Sequence, residues 1–174
     1  VAYRRLTMSD PPSPGHDRAR AVAERFARAF DAGDFDAMGS LLAEPCVIGS
    51  PRHSLRGREQ TMRLFREGAT WAERAFDDVR HESVVTDAQD LRVAIEVSTC
   101  LLRVPGRWHR FRRLRLLELD GDGLIVRIDE ACDPGTFAAL MEFVQACGPP
   151  AFPDLAFGYP TTYARPLTGA RDSG

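Results

Sequence analysis

Apolar residues recur at helical spacing between about Asp17 and Ala32, where Val22, Phe26 and Phe30, flanked by Ala23 and Ala27, fall on one face and predict an amphipathic helix. Gly33 is placed to end that helix, and Asp34 to cap a short second one carrying Phe35, Met38, Leu41 and Leu42. Pro45 and the run Cys46 to Ile48 predict a short strand, closed by the Gly49, Ser50 and Pro51 turn. After Gly57 a third helix is expected to about Arg74, burying Met62, Phe65 and Trp71. The period then changes. Alternation and β-branched residues mark four strands, Phe76 to Thr86, Leu91 to Val104, Trp108 to Leu119 and Leu124 to Cys132. Turn residues at Asp87 to Asp90, at Pro105 and Gly106, and from Asp120 to Gly123 join these strands into an antiparallel meander. A last helix is expected from Pro134 to Cys147.

The pattern therefore predicts an α+β domain, three helices packed on a curved antiparallel sheet around one apolar pocket, with a C-terminal helix and tail. Residues 1–16, with Pro11, Pro12, Pro14 and Gly15, read as a flexible leader, residues 17–147 as the domain, and residues 148–174 as a tail. Phe152, Leu155, Phe157 and Tyr159 in that tail are apolar enough to cover a pocket mouth or a partner subunit. A length of 174 residues, 44% hydrophobic and 28% charged, suits one domain with its own core. The net charge of -2, from 23 basic and 25 acidic residues, gives no reason to expect nucleic acid or anionic lipid as a partner. Cys46, Cys100, Cys132 and Cys147 form no C-x-x-C pair and read as free thiols in a reducing cytoplasm. No apolar run approaches the roughly 20 residues that span a bilayer. Nor does a nucleophile elbow, Walker loop or dinucleotide fingerprint appear, so no cofactor is expected.

The stretch AERFARAFDAGDFDAMGSLLAEPCVIGSP, then LRGREQTMRLF, then strands ending DGDGLIVRIDEACD, resembles the nuclear transport factor 2-like superfamily over about residues 19–145. That superfamily includes SnoaL-like polyketide cyclases, ketosteroid isomerases, limonene epoxide hydrolases and scytalone dehydratases. The resemblance implies a cone-shaped barrel, and it is specific to fold rather than to function. The isomerases' tyrosine, aspartate base and protonated aspartic acid fall near Phe26, Ser50 and Arg115, so none of the three is kept. For the epoxide hydrolases Glu130 matches one acid and Glu96 loosely another, while Ile48 and Ser50 stand near their tyrosine and asparagine. The dehydratases match at two places, an aspartate at Asp31 and a histidine at His81, with Phe30 where they carry a tyrosine.

The residues' own physics leaves each assignment with an alternative. Alternation puts His81 on one face with Val79, Ser83 and Val85, turned inward. It is either a core histidine or a base whose imidazolium a carboxylate, Asp31, would orient and stabilise. Asp31 lies in the last turn of its helix, where the macrodipole disfavours a negative charge, and is otherwise a solvated corner residue. Glu130 shares parity with Ile128 and Cys132 and enters the interior, either as a general acid or in an ion pair with Arg113 or Arg115. The run Arg107 to Arg115 has the look of a nucleic-acid strip, but alternation divides its arginines between two faces. His53 and His109 lack ligand-like spacing and read as surface or loop residues, so no metal is expected.

These readings combine into a cofactor-independent cyclase, dehydratase or isomerase acting by proton transfer on a small carbonyl-bearing, polyketide-like metabolite. His81 would abstract the proton, Asp31 would orient it, and Glu130 would hold or protonate the substrate oxygen. Phe26, Phe30, Met62, Phe65, Trp71 and Phe111 would form the apolar wall, with Ser50 and Arg115 binding substrate. The alternatives are an epoxide-opening enzyme that depends on Glu130, and a non-catalytic binding or assembly module. A cytoplasmic homodimer is expected, paired through the exposed sheet face.

Overall fold

A computed structural model describes residues 14–50, 53–103 and 105–147, the side chains of Pro14, Ser50 and His53 excepted. The tail expected to cover a pocket therefore lies outside the described residues. In chain order the elements are α1 (Pro14–Ala32), α2 (Phe35–Ser40), β1 (Leu42–Ser50), β2 (His53–Arg56), α3 (Arg58–Ala75), β3 (Asp78–Gln89), β4 (Arg92–Arg103), β5 (Arg107–Leu119), β6 (Ile125–Ala131) and α4 (Pro134–Cys147). Among the described residues the architecture is α+β, four helices packed on one six-stranded sheet.

The corner between α1 and α2 forms as its chemistry dictates. Gly33 adopts φ +67°, a conformation cheap only for glycine, and the Asp34 carboxylate accepts a 2.9 Å hydrogen bond from the Ala37 N–H at the start of α2. Leu41 and Leu42, expected within α2, instead cap it and open β1, both buried. α1 is already helical at Pro14, the first described residue and three residues before the expected helix.

The sheet order is β2-β1-β6-β5-β4-β3, and it does not close. The expected meander from β3 to β6 is antiparallel throughout. The sheet as a whole is mixed rather than antiparallel, because β1 pairs with β6 in parallel, Ile48 opposite Ile128 and Gly49 opposite Asp129. β2 is an additional strand, a short antiparallel return on β1. α1 and α3 cover the inward face of the sheet. Their Phe26, Ala23 and Met62 pack on Val93, Ile95, Val97, Leu117 and Ile128. A second cluster joins Phe76, Leu101 and Phe111 to Leu140 and Val144 of α4.

Candidate functional site

Alternation along β3, β4, β5 and β6 delivers a row of side chains to the inward face, and strand register sets their neighbours. His81 stands opposite Thr99, Thr99 opposite Phe111, and Arg115 opposite Glu130. Residue parity thus brings His81, Arg113, Arg115 and Glu130 under the last turn of α1, as the alternation predicts for His81 and Glu130.

Asp31 does not bond to His81. Its carboxylate accepts from the Ser83 N–H at 2.9 Å and from the Ser83 hydroxyl at 2.6 Å. The expected Asp31–His81 hydrogen bond is thus replaced by an Asp31–Ser83 clamp two residues along the same face, and Asp31 acts on His81 only through space. His81 Nδ1 lies 2.9 Å from the hydroxyl of Thr99, which is 2% exposed, and Nε2 has no hydrogen-bond partner among the described residues. The imidazole also packs against Phe30, ring centroids 4.7 Å apart. Burial first, then the positive charges of Arg113 and Arg115, push its pKa from 6.5 down to about 4, against the opposing pull of Asp31 and Glu130. The ring is neutral at physiological pH.

Glu130 takes the ion-paired alternative. Arg115, 1% exposed, donates from Nε to Glu130 Oε1 at 2.8 Å and also from Nη2 to the same oxygen, while Arg113 Nη1 lies 3.8 Å from Oε2. A buried carboxylate held this way is tolerated because the guanidinium answers its charge in a low dielectric. Aromatic faces complete the shell. The Arg115 guanidinium sits 4.3 Å from the Phe30 ring centroid, 5.2 Å from Phe65 and 5.6 Å from Phe26.

The space found beside this ion pair is smaller than the apolar pocket expected for a small organic ligand. The space bounded by Phe111, Arg113, Glu130, Cys132, Phe137 and Leu140 amounts to about 10 Å³, room for one water molecule. A groove of about 280 Å³ runs over the outside of α1 and α2, lined by Arg25, Arg28, Asp34 and their neighbours, apart from the polar cluster.

The expected wall divides between the two clusters. Phe26, Phe30 and Phe65 do surround Arg115, whereas Met62 packs below Gly39 of α2. Trp71 meets Phe76 edge-on at 5.7 Å, and Phe111 lies with it in the cluster under α4, though within 5.8 Å of the Arg113 guanidinium. Ser50 ends β1 beside β2, and its side chain lies outside the description. His109 lies in β5, not in a loop, and is partly exposed. It stacks on Phe143 at 5.2 Å, its Nε2 buried without a partner among the described residues, and burial lowers its pKa. The sequence reading overlooked Thr99, although its position as the polar residue between Val97 and Leu101 on an inward parity was a usable signal.

All four cysteines are free, and no cluster of three metal-ligating side chains occurs among the described residues. No helix there is long and apolar enough to cross a membrane.

This fold has counterparts. The family profile of the SnoaL-like domain matches residues 23–128, which run from α1 into β6. The chain belongs to the SnoaL-like domain family. Among curated protein sequences no significant match is found. A proposed SnoaL-like polyketide cyclase from Jannaschia sp. CCS1 superposes with a TM-score of 0.63 at 16% identity, over 82% of this chain and 100% of its own. An LEH-like epoxide hydrolase from M. tuberculosis gives 0.56 at 24% identity, over 76% and 96%. TerC, co-crystallised with polyporic acid, gives 0.60 at 12% identity, over 74% and 98%. At these identities the likeness concerns the fold, which this SnoaL-like chain shares with enzymes of different chemistry.

Proposed function

We propose that this SnoaL-like protein is an enzyme catalysing proton transfer on a small, largely apolar, carbonyl-bearing molecule, in a cyclase, dehydratase or isomerase reaction. The observation that carries the reading is His81: a neutral imidazole on the inward face, one nitrogen anchored to Thr99, the other unengaged by described residues, beside Arg115 and Glu130. A carbonyl compound needs a group at the acidic C–H and a donor at the oxygen that gathers charge, and such positioned acid–base chemistry supplies about 10²–10⁴ in rate. His81 meets the reacting group, Arg115 and Glu130 form the polar wall, and Asp31 holds α1 and β3 in place around it. Phe30 touches both polar groups, its ring 4.7 Å from that of His81 and 4.3 Å from the Arg115 guanidinium, so a substrate reaching them displaces that ring. TerC, co-crystallised with polyporic acid, shares the fold.

The test is solvent deuterium exchange at the carbon next to the carbonyl in a panel of aromatic ketones and 1,3-diketones, followed by NMR. Wild type is expected to accelerate exchange in at least one member, and His81→Ala to lose about 10²–10⁴ of that acceleration. Equal exchange by the two folded proteins would remove the reading.

A second reading, epoxide opening, draws on the Arg115–Glu130 pair and on the fold shared with the M. tuberculosis epoxide hydrolase. It predicts that epoxide turnover survives His81→Ala and is lost in Glu130→Gln. We also infer a homodimer built through the outer sheet face, where Trp108, Val84 and Leu116 are exposed.

A further inference from the structure

We propose that Thr99 is a positioning residue that fixes the tautomer of His81, so that His81 presents an Nε2–H donor to a carbonyl or enolate oxygen rather than a bare nitrogen to a C–H. The inference deepens the reading above by assigning His81 one of its two roles, and it rests on that reading for the ligand's chemistry only. Thr99 is buried within β4, between the apolar Val97 and Leu101, and its hydroxyl has one hydrogen-bond partner among the described residues, Nδ1 of His81 at 2.9 Å.

That single contact admits two proton arrangements. If Nδ1 carried the proton and donated it to Thr99, the threonine O–H, 2% exposed, would be left without an acceptor among the described residues and would bear the cost of its lost hydration. If Thr99 donates to Nδ1, the buried hydroxyl proton and the ring's acceptor nitrogen are both satisfied by one bond, and the ring's own proton must reside on Nε2. The second arrangement leaves only the Nε2–H without a protein partner, on a ring less buried than Thr99 and at an atom that is not among the buried polar atoms lacking one, so Thr99 acts as donor and His81 as the Nε2–H tautomer.

The chemical consequence concerns what the site takes and how it acts. A neutral imidazole N–H beside two guanidiniums suits an oxygen that accumulates negative charge, and it stabilises that charge without a proton having first to be gained. A bare Nε2, required of a base, would be the minority form. The ligand class is a molecule with an acceptor oxygen, a ketone, quinone or enol, directed at Nε2.

The experiment is a long-range proton–nitrogen correlation spectrum of the ¹⁵N-labelled full chain at neutral pH, with His81→Asn identifying the ring signals. The expected pattern has a protonated Nε2 and a bare, hydrogen-bonded Nδ1. Thr99→Ser should keep that pattern, and Thr99→Val should shift the ring toward a mixture of tautomers. A wild-type ring protonated on Nδ1, or a folded Thr99→Val variant with an undiminished Nε2–H preference, overturns the assignment. Should Thr99→Val fail to fold, Thr99→Ala, which removes the same hydroxyl, takes its place. No substrate is involved, so a failed deuterium-exchange assay with an Nε2–H ring sinks the proposed reaction and spares the tautomer, while an active enzyme with an Nδ1–H ring does the reverse.

Discussion

His81 ties the protein's stability to pH. Its folded-state pKa, about 4, lies below the ordinary 6.5 of an unfolded histidine, so between those values the unfolded chain binds the proton more readily. The contribution is complete above pH 6.5, is lost progressively as pH falls toward 4, and changes no further below that. Urea denaturation of wild type and His81→Asn across this window is expected to show a shallower fall in the variant. Parallel curves would mean that the ring is solvated. At this scale sequence reading was half successful. Parity correctly turned His81 and Glu130 inward, but Ser83 lies on the same face as His81, and no spacing rule says which of two neighbouring polar groups a distant carboxylate will reach. Asp31 reaches Ser83. Glu130 likewise left two readings open until the register placed it opposite Arg115.

Among elements, the Asp31–Ser83 clamp joins the end of α1 to the edge strand β3. Both hydrogen bonds go to a charged acceptor, the stronger kind, and Asp31→Ala is expected to lower stability by about 1.5–3 kcal/mol in chemical denaturation. An unchanged midpoint would show that the end of α1 does not depend on the sheet for its position. Local chemistry made the start of α4 at Pro134 legible, and the α1–α2 corner from Gly33 and Asp34. β2 was not legible, because His53–Arg56 is too short to carry an alternation. Leu41 and Leu42 continued an apolar stripe at helical spacing, and tertiary pairing of Leu42 with Ile125 overrode that local preference.

For the whole molecule, the outer sheet face combines large apolar side chains with ion pairs such as Arg112–Glu96 and Arg127–Asp129. Trp108 is 66% exposed, more than any other large apolar residue described. Sedimentation of the full chain is expected to give a dimer, and Trp108→Lys a monomer of unchanged fold, because a lysine pair would bring like charges to an apolar seam. A monomeric wild type would assign that face another use. The mixed sheet was the global feature that alternation could not reveal, since strand direction depends on partners far apart in the chain rather than on the pattern within either strand.

That parallel pairing also governs the order of assembly. On a growing chain, helices α1 to α3 and strands β1 and β2 emerge long before β6, and Gly49 must wait for Asp129 before its ladder exists. Until then β1 has only β2 beside it and offers an open edge, with Ile48 and Cys46 not yet shielded by the finished sheet. Contacts of such long sequence separation are slow to form. Nascent chains halted before Ile125 are therefore expected to be the aggregation-prone species, captured by chaperones on the ribosome until the last strand slides into the gap.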